Sequence, residues 1–161
     1  MFGLFKKDVA ILSPVNGQCV DLNQVPDEVF SDRMMGDGVA VRPSDGLFVA
    51  PADGELTMLF HTGHAYGMKI GRGIEILVHI GIDTVELHGE GFELLAEQGQ
   101  TVKAGDPIVR VDLEKIRSRG YDLITPVILT APGPESGTQL KAGALNAQVK
   151  AALDVIFTVS L

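Results

Sequence analysis

The chain has 161 residues, of which 45% are hydrophobic and 21% are charged; this composition suits one globular domain and excludes extensive disorder. Its 13 Lys and Arg residues against 21 Asp and Glu residues give a formal net charge of −8, which argues against a nucleic-acid-binding surface. No stretch approaches the roughly 18 apolar residues of a membrane span. The single cysteine, Cys19, excludes an intrachain disulfide and favours a reducing, cytoplasmic compartment.

In chain order, residues 1–10 are predicted to be a flexible leader and residues 11–161 a single domain. Short apolar runs bounded by Asp-Gly and Gly-Asp turns predict strands through most of the domain. The predicted strands are 38–41, 47–50, 55–60, 75–80, 107–111, 125–130 and 155–159. Only two short helical turns are predicted, at 26–30 and 113–117. Residues 133–143, rich in Pro, Ser, Gly and Thr, are expected to be the least ordered stretch.

Strands this short, with turns this close together, predict an all-β sandwich or barrel. The sequence Pro-Ser-Asp-Gly at 43–46 recurs as Pro-Ala-Asp-Gly at 51–54, which predicts consecutive hairpins in a meander. Residues 97–108 resemble the turn-and-strand element of lipoyl and biotinyl domains, which are small flattened β-barrels. That resemblance concerns the fold and implies no function.

The histidines are candidates for acid–base, nucleophilic or metal chemistry because the imidazole titrates near neutral pH. Alternation along the strand 75–80 places Glu75, Leu77 and His79 on one face. Asp83 follows in a turn and is expected to return toward the His79 imidazole. A carboxylate bonded to one ring nitrogen would fix the tautomer and leave the other nitrogen as a nucleophile.

A second histidine segment follows the strand 55–60. Thr62 and His64 are two residues apart, so in an extended chain they point the same way and the hydroxyl can orient the imidazole. His61 points away from this pair. We expect His61 and His88 to be structural or solvated, and an ordinary core histidine remains the alternative for His64 and His79.

Residues 73–92, Gly-Ile-Glu-Ile-Leu-Val-His-Ile-Gly-Ile-Asp-Thr-Val-Glu-Leu-His-Gly-Glu-Gly-Phe, resemble the signature of a known family. It is the glucose-type IIA component of the bacterial phosphoenolpyruvate-dependent sugar phosphotransferase system. Residues 25–30, 34–40 and 60–65 match the same family in the same order, and the similarity runs from about 11 to 130. The resemblance implies an antiparallel β-sandwich or flattened barrel of the duplicated-hybrid-motif type, with only short helical turns.

The resemblance also implies an activity. His79 would accept a phosphoryl group from a histidine-containing phosphocarrier protein and pass it to a cysteine on the IIB domain of a glucose-type sugar permease. His64 would be the second active-site histidine and stabilise the phosphate, with Thr62 orienting it. Asp37 and Asp83 would flank the site, and no metal or other cofactor would be required.

Because both partners are proteins, we expect a shallow site inside an apolar docking surface formed by Val39, Phe60, Ile80 and Ile82. The carboxylates of the site would pair with arginines of the phosphocarrier. The backbone N–H groups of the turn at 81–83 are expected to assist in holding the phosphate.

Other functions remain open or are disfavoured. The alternative is a regulatory protein that binds transporters or enzymes, where His64 and His79 with a partner's carboxylate could hold zinc. A lysostaphin-type zinc peptidase is disfavoured, because His79-x-x-x-Asp83 lacks a downstream His-x-His pair. A lipoyl or biotin carrier is disfavoured because no lysine hairpin tip is present for modification. The initiating methionine and the short leader favour a free-standing protein.

Overall fold

The computed structural model describes residues 8–161, so most of the predicted leader, residues 1–7, lies outside the described residues. The strands are β1 (Val9–Leu12), β2 (Gly17–Asp21), β3 (Asp37–Pro43), β4 (Leu47–Val49), β5 (Gly54–Leu59), β6 (Ala65–Ile70), β7 (Ile74–His79), β8 (Phe92–Leu94), β9 (Thr101–Val102), β10 (Pro107–Val111), β11 (Thr125–Ala131), β12 (Gln139–Ala142), β13 (Gln148–Val149) and β14 (Val155–Ser160). The two α-helices are α1 (Glu28–Ser31) and α2 (Leu113–Ser118). No helix among residues 8–161 is long and apolar enough to cross a membrane.

The strands form three antiparallel sheets. The largest has eight strands in the order β13-β2-β3-β11-β7-β6-β5-β9, and two three-stranded sheets have the orders β1-β14-β12 and β4-β10-β8. The predicted all-β, antiparallel fold with only short helices is therefore confirmed.

The middle of the large sheet is buried on both faces. In β7, Ile76 and Val78 belong to the main core, whereas Leu77 between them belongs to a second apolar cluster. The same alternation occurs in β11, where Val127 lies in the main core and Ile128 in the second cluster. Helix α1 contributes its buried Phe30 to the second cluster. The histidine that ends β7 is thus held by a strand that cannot shift without disturbing two cores.

Every strand predicted from the sequence has a counterpart, and both helical turns are present at α1 and α2. Val9 and Ala10, which were predicted to belong to the leader, pair with Val159 and Thr158 of β14. Residues 133–143 contain β12, which pairs with β14. Pairing from a distant strand orders this stretch although its composition is typical of a loop.

The prediction of consecutive hairpins at 43–54 was wrong. Strand β3 pairs with β2 and β11, β4 pairs with β10 in a different sheet, and β5 pairs with β6 and β9. The two Pro-x-Asp-Gly turns therefore mark places where the chain changes sheets.

The closing strand β14 provides a test of the fold. Phe157 is fully buried and lies opposite Ile11 of β1 and Ala142 of β12. We expect Phe157→Ala to lower the free energy of unfolding by about 3–5 kcal/mol, because it leaves a cavity in the core. Urea unfolding measures this loss. Leu153→Ala, at a side chain that is 67% exposed, is the control and should change stability by less than about 0.5 kcal/mol. Equal small losses would show that β14 lies outside the cooperative core.

Candidate functional site

The structure brings His64 and His79 together across the β6–β7 pair. His79 is the last residue of β7 and lies opposite Ala65, the first residue of β6, which follows His64. The N–H of Ile80 donates to the carbonyl oxygen of His64 at 2.7 Å, so the two backbone segments are bonded directly. The centroids of the two imidazoles are 5.3 Å apart and their planes are inclined by 78°. Two rigid strand ends thus hold the rings next to each other.

The Nδ1 atom of His79 donates a hydrogen bond to the backbone carbonyl oxygen of Gly81 at 2.8 Å. A carbonyl oxygen can only accept, so the neutral imidazole carries its proton on Nδ1. The Nε2 atom then keeps a free lone pair. We expected the Asp83 carboxylate to make this bond, and that expectation was wrong, because the turn presents a backbone carbonyl there.

His64 is oriented by a side chain from its own loop. The Thr62 hydroxyl lies 2.5 Å from Nδ1 of His64, and both residues are buried. When the hydroxyl donates to Nδ1, the proton of the neutral ring is on Nε2, and His64 presents an N–H donor. The two histidines of the pair then differ in kind, one with a free lone pair and the other with a free N–H.

Two aromatic rings enclose the imidazoles. Phe30 of α1 lies over His79 with ring centroids 5.1 Å apart, and Phe60 meets His64 in an edge-to-face contact at 4.9 Å. Sequence analysis did not assign Phe30 to the site. The sequence feature that could have indicated a role for Phe30 is its position as the apolar last residue of the predicted helical turn 26–30.

Burial keeps both imidazoles neutral. Burial, together with charge repulsion from His79 and His61, lowers the pKa of His64 from 6.5 to about 4. Burial is also the largest effect on His79 and lowers its pKa, while the Gly81 carbonyl raises it. The remaining charges that raise the pKa of His79 are Asp27 and then Asp83. At neutral pH, therefore, the Nε2 lone pair of His79 is unprotonated.

One of the two expected carboxylates, Asp83, acts on His79, and Asp27 does so as well. Asp83 is exposed and acts on His79 through its charge, and so does Asp27, the residue that caps α1 by accepting from the N–H of Val29. Asp37 begins β3 and accepts hydrogen bonds from Arg33 and from the N–H of Gly38, both at 2.8 Å. Within residues 8–161, the hydrogen-bond partners of Asp37 do not include either imidazole. Asp27 lies in the segment 25–30 that resembles the family, but the sequence analysis assigned it no role.

The apolar surface also differs from the prediction. Val39 and Ile80 are buried in the main core, at 1% and 0% exposure, and Ile82 is buried in the second cluster, so these three cannot present their side chains to a partner. Strand alternation turns Val39 to the inner face of β3, and Ile80, which directly follows β7, is buried in the same core. Phe60 is 40% exposed, as a docking residue must be.

Exposed apolar side chains do occur next to residues of the site in the sequence. Val29 precedes the Phe30 that covers His79, and Val85 follows Asp83 by two residues; their exposures are 42% and 49%. We call Val29, Phe60 and Val85 the apolar rim. The turn offers less to a phosphate than expected, because the N–H of Ile82 donates to the carbonyl oxygen of Asp122 at 2.9 Å.

Metal ligands are limited. Among residues 8–161, no three or more His, Cys, Asp and Glu side chains are grouped as they would be around a metal ion. His64 and His79 by themselves would supply two ligands of the four that a zinc site requires.

Comparison with known proteins identifies the family. A model for the phosphoenolpyruvate-dependent sugar phosphotransferase system, EIIA 1, matches residues 9–133. The chain belongs to this EIIA family. A PTS system glucose-specific EIIA component of Bacillus cereus is 48% identical over 132 residues, which cover 81% of this chain and 80% of the relative.

Longer and solved relatives agree with the assignment to the EIIA family. A PTS system glucoside-specific EIICBA component of Staphylococcus carnosus is 46% identical over 133 residues, covering 83% of this chain and 19% of that longer protein. The solved structure of glucose permease IIA from Mycoplasma capricolum is 40% identical, with a TM-score of 0.87 over 96% of this chain and 97% of that one. The resemblance noted in the sequence is confirmed, and the chain is a phosphotransferase-system component.

The depressed pKa of His64 predicts a pH-dependent stability. A histidine whose pKa is about 4 when folded and 6.5 when unfolded destabilises the fold progressively as pH falls below 6.5. The difference corresponds to about 3 kcal/mol lost by pH 4. His64→Gln does not titrate, so the stability gap between wild type and variant should shrink by about that amount between pH 7 and pH 4. Urea unfolding across this range measures the gap. A gap independent of pH would contradict the burial of a neutral His64.

Proposed function

We propose that this chain is a phosphoryl carrier in which Nε2 of His79 accepts a phosphoryl group from a histidine-containing phosphocarrier protein. The group then passes to a cysteine on the IIB domain of a glucose-type sugar permease. The hydrogen bond from Nδ1 of His79 to the Gly81 carbonyl carries this proposal. It leaves Nε2 as the nucleophilic atom of an imidazole that burial keeps neutral.

The transfer is a pair of displacements at phosphorus. The Nε2 lone pair forms a new N–P bond as the N–P bond of the donor histidine breaks, and the donor nitrogen leaves with the electron pair. In the second step a cysteine thiolate forms an S–P bond and Nε2 leaves. Phosphoryl transfer of this kind depends on positioning and on stabilising the equatorial oxygens. We propose that no metal takes part.

His64 is proposed to stabilise the transferred group. With the Thr62 hydroxyl donating to Nδ1, the Nε2–H of His64 donates to a phosphoryl oxygen on His79. The ring separation of 5.3 Å leaves room for a phosphoryl group bonded to one ring to contact the other. The N–H of Ile82 already donates to the carbonyl oxygen of Asp122, so His64 is proposed as the side-chain donor to the phosphoryl group.

The protein partners are proposed to dock on the apolar rim. Val29, Phe60 and Val85 are exposed, Phe60 contacts His64, and the charged side chains that act on His79 are both carboxylates. Asp27 and Asp83 act on His79 through their charge, and Glu86 is exposed on the turn that follows. Anionic groups around a phosphoryl-transfer site suit a basic phosphocarrier, whose cations would pair with them.

A regulatory binding role is the alternative. In that case the same rim would hold transporters or enzymes, and zinc held by His64, His79 and a partner's carboxylate could strengthen the contact. Phosphorylation of His79 would then act as the switch. The two roles share one surface and differ in whether a IIB domain receives the phosphate.

The transfer role predicts a division of labour between the two histidines. We expect His79→Gln to abolish phosphorylation by the phosphorylated histidine-containing phosphocarrier protein, because it removes the nucleophile. We expect His64→Gln to accept phosphate but to pass it to the IIB domain roughly 100-fold more slowly, because the transferring phosphate loses its donor. Mass spectrometry at neutral pH measures the acid-labile addition, and sugar phosphorylation measures the onward step.

The control is His88→Asn, which changes an exposed histidine and keeps a residue type that tolerates its positive φ. It should be phosphorylated as wild type is. Phosphate uptake by His79→Gln would overturn the proposal. Phosphorylated wild-type protein that transfers nothing to any IIB domain would favour the regulatory alternative.

The docking role predicts a salt-sensitive association. We expect the association rate with the phosphocarrier to fall roughly tenfold between about 20 and 500 mM salt, because opposite charges steer the encounter. The double variant Asp27→Asn, Asp83→Asn should be slow at low salt and nearly insensitive to salt. Asparagine still caps α1 and tolerates the positive φ of residue 83.

The matched control for this prediction removes the same charge elsewhere. Glu55→Gln with Glu135→Gln alters two exposed carboxylates, one on β5 and one in the turn Pro134–Ser136. Stopped-flow association should show wild-type rates for it. Equal slowing of both double variants would indicate that total charge matters and not the carboxylates beside His79.

A further inference from the structure

The turn that follows His79 contains two residues with positive φ. Gly81 has φ +80°, and Asp83 has φ +59°, in the left-handed region that non-glycine residues seldom adopt. This turn supplies the carbonyl that selects the proton position on His79. We propose that Thr84 is a positioning residue, which holds the turn so that the Gly81 carbonyl keeps His79 as its Nδ1–H tautomer. The consequence for phosphoryl transfer rests on the function proposed above.

The peptide unit that joins Gly81 to Ile82 is bonded at both ends. Its carbonyl oxygen accepts from Nδ1 of His79 at 2.8 Å, and its N–H donates to the carbonyl oxygen of Asp122 at 2.9 Å. Hydrogen bonds in such a chain polarise one another in a poorly solvated interior. The orientation of this single peptide unit therefore decides whether the imidazole finds an acceptor.

Thr84 holds the preceding peptide unit. Its side chain is fully buried, and its hydroxyl donates to the carbonyl oxygen of Ile80 at 2.5 Å. The N–H of Ile80 is held by the His64 carbonyl oxygen. The Thr84 hydroxyl thus anchors the point from which the chain turns into Gly81.

The Thr84 methyl group closes the other side of the turn. A Cβ atom on residue 81 would lie 2.6 Å from Thr84 Cγ2 and 3.0 Å from the Asp122 carbonyl oxygen. Thr84 therefore packs directly against the Gly81 backbone. The hydroxyl anchors one peptide unit while the methyl group limits how far the next one can rotate.

Loss of the hydroxyl has a specific consequence. A buried Ile80 carbonyl without its partner favours any rearrangement that restores a hydrogen bond, and rotation of the turn is one. Rotation withdraws the Gly81 carbonyl from Nδ1. The proton can then reside on Nε2, where it occupies the lone pair that phosphoryl transfer needs.

The test measures the tautomer without any partner. We expect the ¹⁵N chemical shifts of the His79 ring at pH 8 to show an Nδ1–H tautomer in wild type and in Thr84→Ser. In Thr84→Val, which keeps the shape and removes the hydroxyl, the ratio of Nδ1–H to Nε2–H should fall by about fivefold or more. The phosphorylation rate should fall with it and be restored in Thr84→Ser.

A matched control removes another buried threonine hydroxyl. Thr125 is fully buried and its hydroxyl donates to the Leu123 carbonyl oxygen at 2.9 Å, so Thr125→Val carries a similar loss of stability. We expect it to leave the His79 tautomer unchanged. If Thr84→Val fails to fold, Thr84→Ala replaces it, since alanine also lacks the hydroxyl and places no methyl group against the Ile80 carbonyl.

The outcomes separate this inference from the proposed function. A wild-type tautomer in folded Thr84→Val or Thr84→Ala would overturn the inference, as would an equal shift in Thr84→Ser. A shifted tautomer with an unchanged phosphorylation rate would also overturn the positioning role. Wild-type protein that keeps the Nδ1–H tautomer but never takes up phosphate would instead defeat the proposed function.

Discussion

The hydrogen bond between Nδ1 of His79 and the Gly81 carbonyl is the interaction on which the site depends. A neutral imidazole has one proton and two nitrogens, so an acceptor at one nitrogen decides the chemistry of the other. The acceptor here belongs to the backbone and cannot itself be protonated at physiological pH. The geometry of a turn thereby decides whether Nε2 keeps its lone pair. The turn is held in place by β7, which pairs with β11 and β6.

Burial of the two imidazoles involves opposing electrostatic effects. Removing His64 and His79 from water lowers the pKa of each imidazole and keeps both neutral. Asp27 and Asp83 act in the opposite direction on His79, since their charges favour its protonation. Burial is the larger effect, so the two carboxylates do not raise the pKa of His79 above its ordinary value. The site accordingly combines a neutral imidazole at His79 with two carboxylates, Asp27 and Asp83, that act on it.

The sequence predicted the parts of the fold that local pattern determines. Runs such as 75–80 and 107–111 are apolar and bounded by turns, and each became a strand. Strands β2 and β6 were missed, because Gly-Gln-Cys-Val-Asp and Ala-Tyr-Gly-Met-Lys-Ile contain small and polar residues and lack clear alternation. Their place is set by pairing with β3 and β7. The local sequence pattern does not determine which strands pair. For this reason β4 was wrongly predicted to pair with β3 and β5, whereas it pairs with β10.

The same division applies to the site. His64, Thr62 and His79 were predicted because each lies within a short motif, whereas Asp27 and Phe30 come from a helix about 50 residues earlier that packs over β7 only after folding. Because Asp27 caps that helix, folding places part of the net charge of −8 close to His79. Acidity spread evenly over a surface would only favour solubility, but Asp27 and Asp83, from two well-separated segments of the sequence, both act on His79 through their charge. Because folding brings these two carboxylates close to His79, a basic partner would be attracted to His79 and not to the surface as a whole.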